Sequence, residues 1–350
     1  MSIDKNKLAF LELVRAGLWE KDARLLQFGK IDYEEIYQLA GEQSVVGLVT
    51  VGFEHIQDVK APQDIVLQCI GESLQLEQTN KAMNQFIAKL VGDMREADIY
   101  TLFVKGQGVA QCYEKPFWRS SGDVDLLLSD SNYGKARDFL LPLSSDNKPD
   151  ERYSKHLGMN IDQWYVEIHG TLRTGLSGRI DRVVDEVQRS VFYGGEVRSW
   201  MNGKTTVFLP SPDNDVFFVF THFVKHFYKE GMNLRQVCDW CRLLWTYKDS
   251  LNHELLEKRI CKAGLMSEWK AFAALAVEYL GIPAEAMPMY DVRGKKKAER
   301  ILKHILKGKP YRKVRDTWAI AKIFPRNTLK FSPAIFFNVN SLKIEERIFG

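Results

Sequence analysis

Two aspartates separated by a single residue open an apolar run near the middle of this 350-residue chain. Residues 119–130 read RSSGDVDLLLSD, with Asp123 and Asp125 on either side of Val124. Side chains two residues apart in a strand point to the same face, so the two carboxylates would be neighbours. Like charges on one face repel, and burying them is costly unless they are paired or bind a cation. The pattern therefore raises the question of a bound cation, although D-x-D also occurs at solvated strand edges.

A later run predicts another strand with a carboxylate on one face. Residues 163–169 read QWYVEIH and place Glu167 beside His169. If this strand lies next to the aspartate strand, three carboxylates could converge within a few ångströms. Such oxygen ligands suit Mg²⁺, which binds one or two carboxylates together with substrate phosphates. Two such ions can activate an attacking hydroxyl and stabilise the leaving oxygen. Simple alternation of inward and outward side chains would also explain the V-E-I-H pattern.

A glycine-containing turn precedes the aspartate strand. The stretch LFVKGQGVAQCY predicts a strand, a turn that contains Lys105, Gly106 and Gly108, and a short helix. Glycines let a backbone approach a phosphate closely, and N–H groups at a helix start favour anions. Ser121 and Gly122 form a second loop of small residues beside the carboxylates. Glycines alone could serve only a tight turn, but the order of turn, carboxylate strand and second carboxylate strand favours phosphate chemistry.

This combination resembles the nucleotidyltransferase superfamily with the DNA-polymerase-β-like fold. More narrowly, it is similar to a bacterial group of uncharacterised nucleotidyltransferases. Lys105-Gly106 matches the turn of that group, Arg119 and Gly122-Asp123-Val124-Asp125 match its aspartate strand, and Glu167-Ile168-His169 matches its last element. The resemblance covers residues 95–175 and extends more weakly to about residue 250.

The resemblance implies Mg²⁺- or Mn²⁺-dependent transfer of an NMP group from an NTP to an acceptor hydroxyl, with release of pyrophosphate. It implies that Asp123, Asp125 and Glu167 are the metal-binding and catalytic residues, with Glu167 either a ligand or the base. The acceptor is expected to be a sugar, a metabolite, RNA or a protein. The nucleotide-binding residues that the resemblance implies are Lys105, Gly106, Gly108, Arg119, Ser121 and Gly122. Arg119 could instead form a structural salt bridge, and a hydrogen bond to its neighbours is expected for His169.

Two other classes of function stay open. Gly106-Gln107 stands where the superfamily usually has Gly-Ser, which favours a non-catalytic relative that binds a nucleotide or sugar phosphate as a regulatory subunit. The second alternative is a zinc-stabilised interaction module, since H-x3-H and C-x2-C pairs suit tetrahedral Zn²⁺. Both pairs lie in apolar helices, where Cys and His are also common in the core. The four residues concerned are His222, His226, Cys238 and Cys241.

The helices that carry these pairs could also border the catalytic cleft. By the same resemblance, His222, Arg235 and Asp239 would lie on the acceptor side. Arg235 and Asp239 are four residues apart, so they could equally form an ion pair along one helix.

Elements with different periodicity divide the chain into three regions. Helical spacing dominates residues 5–95, short strands are predicted between 99 and 169, and Asn202-Gly203 closes a predicted hairpin over 196–209. Helices follow, with Gly231 between two of them. We therefore expect an α+β fold with a small mixed sheet. The predicted regions are an N-terminal helical region at 1–95, a nucleotidyltransferase core at 96–210, and a C-terminal helical region with a basic tail at 211–350.

Composition limits where the protein acts. Five widely spaced cysteines argue against a disulfide framework and for reduced thiols. The N-terminus predicts an amphipathic helix and not a signal peptide, and no apolar run is long enough to cross a bilayer, so a cytoplasmic location is expected.

The net charge of +4 hides a basic tail. Residues 290–350 contain 16 Lys and Arg against 5 Asp and Glu. The tail could pack on the domain with its lysines in water, contact an anionic membrane surface, or bind nucleic acid. Because no recognised nucleic-acid motif accompanies the charge, nucleic-acid binding is the least favoured of the three possibilities.

Overall fold

The structure is a computed structural model, and it describes residues 3–146, 150–153, 155–307 and 314–331. Most of the described residues are helical. The helices are α1 (Lys5–Trp19), α2 (Tyr33–Glu42), α3 (Val46–Glu54), α4 (Gln63–Glu96), α5 (Gly106–Ala110), α6 (Asp130–Leu140), α7 (Gly178–Gly194), α8 (Pro212–Lys229), α9 (Leu234–Thr246), α10 (His253–Ala263), α11 (Met266–Leu280), α12 (Lys295–Ile305), α13 (Val314–Ile323) and α14 (Pro325–Phe331).

The strands form one five-stranded sheet and one hairpin. They are β1 (Thr101–Phe103), β2 (Asp123–Leu128), β3 (Asp150–Tyr153), β4 (His156–Ile161), β5 (Trp164–His169), β6 (Val197–Asn202) and β7 (Thr205–Pro210). The sheet has the order β1-β2-β5-β4-β3, in which β2 and β5 are parallel and the other neighbours antiparallel. The predicted α+β class with a small mixed sheet among helices is confirmed.

The two faces of the sheet differ in chemistry because side chains alternate along each strand. One face carries Val124, Leu126 and Leu128 of β2 with Val166 and Ile168 of β5, all fully buried. These residues pack against the apolar stripe of α4 and against α6. The opposite face carries the polar residues of the same strands, so burial of the apolar face fixes the direction in which the carboxylates point.

Helices from both ends of the chain share a second hydrophobic core. Trp19 of α1 donates a hydrogen bond from its indole to the carbonyl of Leu280 in α11 (2.5 Å). Arg242 of α9 donates to the carbonyl of Leu18 (2.7 Å). The N-terminal and C-terminal helical regions therefore pack together around the core of the protein, and the three-region division of the sequence stays a prediction.

Most of the elements predicted from local pattern are present, and three were missed. The strands at 101–103, 123–128 and 164–169 and the hairpin at 197–210 are confirmed, with Gly203 at φ 61° in the hairpin turn. Strands β3 and β4 and helix α7 were not predicted. All three lie between the aspartate strand and the hairpin, and two of them contribute to the cleft described below.

The basic tail is partly described. Helix α12 buries Ile301 and Ile305, and Leu306 just after it is buried too, so packing on the domain is confirmed for this helix. The rest of the tail includes residues 308–313 and 332–350, which lie outside the described residues, and membrane or nucleic-acid contact stays a prediction.

Two predictions from composition can be compared with the structure. All five cysteines are free thiols, as expected. Among the described helices, none combines the length and the hydrophobicity that a bilayer crossing requires.

Candidate active site

The polar face of the sheet forms the floor of a cleft of about 1130 Å³. Residues of β2, β4 and β5 form the floor, and residues of α7, α8 and α9 form the wall. The turn at Lys105-Gly106 and the loop at Ser120-Ser121-Gly122 border it. The cleft therefore brings together most of the residues that the sequence singles out.

The two aspartates and the later carboxylate lie on adjacent strands. Strand β2 pairs in parallel with β5, and Asp125 is opposite Glu167 in the register. Asp123 is opposite Tyr165, which places it on the same face two residues earlier. The predicted adjacency of the two carboxylate strands is confirmed. All three carboxylates line the cleft, with Asp123 exposed and Asp125 only 6% exposed.

Asp125 has two partners that offset the cost of its burial. The Lys105 ammonium lies 2.7 Å from Asp125 Oδ1, and His169 donates to the same oxygen from Nε2 at 2.8 Å. Burial raises the pKa of Asp125, but Lys105 and His169 together lower it below its ordinary value. Asp125 is thus held as a carboxylate, and the expected hydrogen bond from His169 to a neighbour is confirmed.

Asp123 has no such pairing and responds in the opposite direction. Although part of its side chain reaches solvent, desolvation at the cleft floor and the charges of Asp125 and Glu167 raise the pKa of Asp123, and Lys105 and Arg235 only partly offset this. The carboxylate face is therefore short of positive charge at Asp123. A divalent cation is the kind of group that would supply it.

Glu167 contacts two histidines, one of which was not identified from the sequence. His156 Nε2 donates to Glu167 Oε2 at 3.2 Å, and His169 Nε2 lies 3.5 Å from the same oxygen. The two imidazoles stack with their centroids 4.5 Å apart. One ligand atom from each of the three residues lies within 4.8 Å of the others. We call His156, Glu167 and His169 the sheet cluster.

Burial and contacts set the protonation of the sheet cluster. Burial raises the pKa of Glu167, but the hydrogen bond from His156 and the nearby His169 lower it below its ordinary value overall. Burial lowers the pKa of His169 despite its contact with Asp125. Near neutral pH the cluster therefore combines a carboxylate with a neutral His169, and a neutral imidazole can ligate a metal.

His156 was missed because strand β4 was missed. The stretch HLGMNI buries Leu157, Met159 and Ile161 on one face, an alternation typical of a strand. The register places His156 directly opposite His169. The alternating pattern in residues 156–161 was therefore the signal that could have found this histidine.

The turn before β2 presents Lys105 and directs Gln107 away from the cleft. Lys105 has φ 61° and Gly106 φ 40°, in the left-handed region that favours glycine. Gln107 is buried and donates from its side-chain amide to Asn80 Oδ1 at 2.7 Å. The residue that replaces the usual serine is thus part of the packing against α4 and offers no side chain to a phosphate.

Gly108 serves close packing at this turn. A Cβ added there would come within 2.7 Å of Leu209 Cδ2 in the hairpin. Gly108 is buried and does not line the cleft, unlike Lys105 and Gly106. The position of Gly108 therefore does not support its predicted contact with a nucleotide.

Arg119 forms a buried ion pair with Asp239 from α9. Its Nε and Nη2 donate to the two oxygens of Asp239 at 2.7 and 2.8 Å, and Tyr113 donates to Asp239 Oδ1 at 2.8 Å. Arg119 Nη1 also donates to Ser121 Oγ at 3.0 Å. The salt-bridge alternative for Arg119 is thus present, and the pair anchors the Ser121-Gly122 loop to the C-terminal helices.

Arg235 lies next to this pair without sharing its carboxylate bonds. Its Nη1 donates to the carbonyl of Ser120 at 2.5 Å, and its Nε is buried without a hydrogen-bond partner among the described residues. The alternative of an Arg235–Asp239 ion pair along the helix is replaced by the longer-range pair of Asp239 with Arg119. His222, Arg235 and Asp239 all line the cleft, and their predicted contact with an acceptor stays a prediction.

The second pair of histidines lies on one helix of the cleft wall. His222 Nε2 and His226 Nε2 are 3.0 Å apart, and His226 Nδ1 lies 2.8 Å from Glu230 Oε2. We call His222, His226 and Glu230 the helix cluster. The hydrogen bond from His226 lowers the pKa of Glu230 to about 2. His226 uses a different nitrogen for each partner, so these three groups form a chain and do not converge on one point.

The proposed zinc set is not assembled. Cys238 and Cys241 are fully buried in the helical core. Among the described residues, the sheet cluster is the group of three or more potential ligands whose atoms converge, and it contains neither cysteine. The cysteines of C-x2-C therefore act as core residues here.

One family model matches a large part of the chain. A family model described as an uncharacterised nucleotidyltransferase matches residues 29–281, which include the glycine turn, both carboxylate strands and the wall of the cleft. Neither a curated protein nor a solved structure was found to match the chain.

Proposed function

The chain belongs to the uncharacterised nucleotidyltransferase family, and from this we propose that it moves an NMP group from an NTP to an acceptor hydroxyl and releases pyrophosphate. The observation that carries the proposal is the convergence of Asp123, Asp125 and Glu167 on the floor of one cleft, beside the Lys105-Gly106 turn. Family membership supports the reaction type. The metal, the nucleotide and the acceptor are parts of the proposal.

The residues present fit a divalent cation. Three carboxylates face the cleft against one ammonium in direct contact, and the pKa of Asp123 is raised for want of a compensating charge. Asp123, Asp125 and Glu167 would hold Mg²⁺ or Mn²⁺, which when bound neutralises phosphate charge and polarises the reacting phosphoryl group. The aspartates would thus share a face because that face receives cations.

Positive side chains on both sides of the floor suit a triphosphate. Lys105 lies at the turn, and its long side chain could reorient from Asp125 toward a phosphate. Arg189, Lys225 and Lys229 line the wall on α7 and α8. Arg119 would act through the Ser121-Gly122 loop, which it holds in place, since its guanidinium is committed to Asp239.

The proposed reaction is a substitution at the α-phosphorus. The acceptor oxygen forms the new P–O bond, the bond between the α-phosphorus and the oxygen that bridges to the β-phosphate breaks, and pyrophosphate leaves. The proton of the acceptor hydroxyl passes to water in the cleft. Positioning and charge stabilisation supply most of the catalysis in this kind of transfer, so the chain's main task is to hold the groups in line.

The experiment is incubation of the protein with each α-³²P-labelled NTP, Mg²⁺ or Mn²⁺, and a cell extract that supplies acceptors. We expect labelled product from the unmodified protein and at least about a 100-fold loss in the Asp123→Asn/Asp125→Asn double variant, because charge stabilisation by bound metal is worth several kcal/mol. Asp138→Asn removes an exposed carboxylate outside the cleft and serves as the matched control.

Two outcomes would contradict the proposal. Equal labelling by the double variant and the unmodified protein would show that the transfer does not use these carboxylates. Saturable NTP binding without label transfer to any fraction would favour the hypothesis of a non-catalytic nucleotide-binding subunit. The inward-facing side chain of Gln107 in the glycine turn already supports that hypothesis.

A further inference from the structure

The sheet cluster has the composition of a metal site that Mg²⁺ does not usually occupy. Two imidazole nitrogens and one carboxylate oxygen lie within 4.8 Å of one another, with Asp125 Oδ1 a further 2.8 Å from His169 Nε2. Mg²⁺ and Ca²⁺ take oxygen ligands, whereas imidazole suits zinc, iron, nickel and copper, and carboxylate also suits manganese. The mixed donor set therefore points away from a purely oxygen-bound ion.

The separations between the donor atoms match those around a single ion. For metal–ligand bonds of about 2.1 Å, neighbouring ligand atoms are about 3.0 Å apart in octahedral and about 3.4 Å apart in tetrahedral coordination. The observed separations are 3.2 Å for His156–Glu167 and 3.5 Å for His169–Glu167, and all three ligand atoms lie within 4.8 Å of one another. In the tautomer of each imidazole that carries its proton on Nδ1, Nε2 is free of a proton, and the same atoms could thus surround one cation.

The fold explains why these atoms converge. His156 and His169 are register partners on β4 and β5, and Glu167 follows two residues before His169 on the same face. Two adjacent strands of the sheet therefore hold the three donors, and such rigid elements suit a preorganised metal site.

We propose that His156, Glu167 and His169 bind a first-row transition-metal dication in preference to Mg²⁺. Glu167 is the donor that this site shares with the three carboxylates of the proposed function, whereas Asp125 is paired with the Lys105 ammonium. The role of this ion in transfer rests on the proposed function, but its binding does not, and it can be measured without a nucleotide.

The helix cluster provides the contrast within the same cleft. His222, His226 and Glu230 are the same residue types, and their successive contacts are as short. Because His226 faces its two partners with opposite ring nitrogens, no single position is close to one atom of all three. The proposal therefore assigns the ion to the sheet cluster and none to the helix cluster.

The test is titration of chelator-treated protein with Co²⁺, Mn²⁺, Zn²⁺ and Mg²⁺ in the absence of nucleotide. We expect one Co²⁺ per chain with visible ligand-field absorption, and an affinity for Co²⁺ or Zn²⁺ at least about tenfold above that for Mg²⁺. His156→Gln and His169→Gln should each weaken Co²⁺ binding by at least about tenfold. His222→Gln/His226→Gln should leave it unchanged as the matched histidine control.

A second measurement keeps the test decisive if a variant fails to fold. Pulsed electron paramagnetic resonance of Mn²⁺ bound to the unmodified protein should show nitrogen couplings from imidazole. Oxygen-only coordination, equal affinity for Mg²⁺ and Co²⁺, or loss of binding in the His222/His226 control variant alone would each overturn the proposal.

The same data separate this inference from the proposed function. Label transfer with Mg²⁺, together with Co²⁺ binding that is no tighter than Mg²⁺ binding or is unchanged in His156→Gln and His169→Gln, would leave nucleotidyl transfer standing and remove the transition-metal site. Tight imidazole-ligated Co²⁺ without any label transfer would do the reverse.

Discussion

The sheet cluster and the helix cluster use two histidines and one glutamate each, on the floor and the wall of one cleft, and differ in how the backbone presents them. In the sheet cluster, Nε2 of His156 and Nε2 of His169 lie 3.2 and 3.5 Å from the same oxygen, Glu167 Oε2. In the helix cluster, His226 lies between His222 and Glu230 and contacts them with different nitrogens. The two clusters therefore have the same residue types and similarly short contacts, but only in the sheet cluster do the ligand atoms converge on one point.

The difference follows from secondary structure. Neighbouring strands place register partners side by side, so donors from β4 and β5 can converge on one point. Residues four apart on a helix stack along one face, which produces pairwise contacts in a row. A sequence motif such as H-x3-H therefore predicts proximity of two side chains but does not by itself predict a shared ligand.

The largest expected difference between the two regions is the loss of unfolding free energy when a carboxylate is removed from each. Asp125→Ala removes the carboxylate that pairs with Lys105 and His169, and it leaves the ammonium without its buried partner. We expect the free energy of unfolding to fall by about 3 kcal/mol. Glu230→Ala removes a carboxylate whose side chain is 43% exposed, and it should cost less than about 1 kcal/mol. Urea unfolding at pH 7 measures both.

Asp125→Asn is the control for this prediction, because it keeps the side-chain shape and a hydrogen-bond acceptor for His169. It should fall between the two alanine variants. Equal losses for Asp125→Ala and Glu230→Ala would show that the pairing at Asp125 does not hold the sheet cluster together.

Asp123 and Glu230 should contribute to the free energy of unfolding with opposite pH dependence. The effect should be smaller than the loss expected for Asp125→Ala. The folded pKa of Glu230 is lowered to about 2, so this group stabilises the fold above its unfolded pKa of about 4.3, and the contribution is lost as pH falls toward 2. The folded pKa of Asp123 is raised by burial and by Asp125, so its contribution is present at low pH and lost as pH rises through that value.

Glu230→Gln should therefore flatten the rise in unfolding temperature between pH 2 and pH 5, whereas Asp123→Asn should steepen the rise above pH 4. The free-energy change should be about 0.5 kcal/mol for Glu230, because solvent screens an exposed pair. Melting curves of both variants between pH 2 and pH 7 measure how the unfolding temperature of each changes with pH. Slopes that change in the same direction for both variants would contradict the opposite pKa shifts.

Local pattern was sufficient for the carboxylate floor of the cleft. The D-x-D run and the E-x-H run each alternate on a strand, and the glycine turn marks the loop before them. The family resemblance implies that all three carboxylates bind metal, which requires the two strands to be neighbours, and the register of Asp125 with Glu167 shows that they are.

Contacts between distant parts of the chain could not be predicted in this way. Arg119 and Asp239 are 120 residues apart, and nothing local to either residue indicates the other as its partner. The packing of Gly108 against Leu209 is likewise a property of the folded chain. His156 depended on a short strand whose pairing is set by β5, so its place beside Glu167 became visible only with the sheet.

Nucleotidyl transfer moves the α-phosphoryl group of an NTP together with its nucleoside, and this distinguishes it from transfer of the γ-phosphoryl group. Parallel reactions with α-³²P-labelled and γ-³²P-labelled NTP, Mg²⁺ or Mn²⁺ and an acceptor-containing extract tell the two apart. We expect the α label in an acceptor fraction and the γ label in released pyrophosphate. Transfer of the γ label to the acceptor, with the α label left in NDP, would show that the protein is a phosphoryl transferase and not a nucleotidyltransferase.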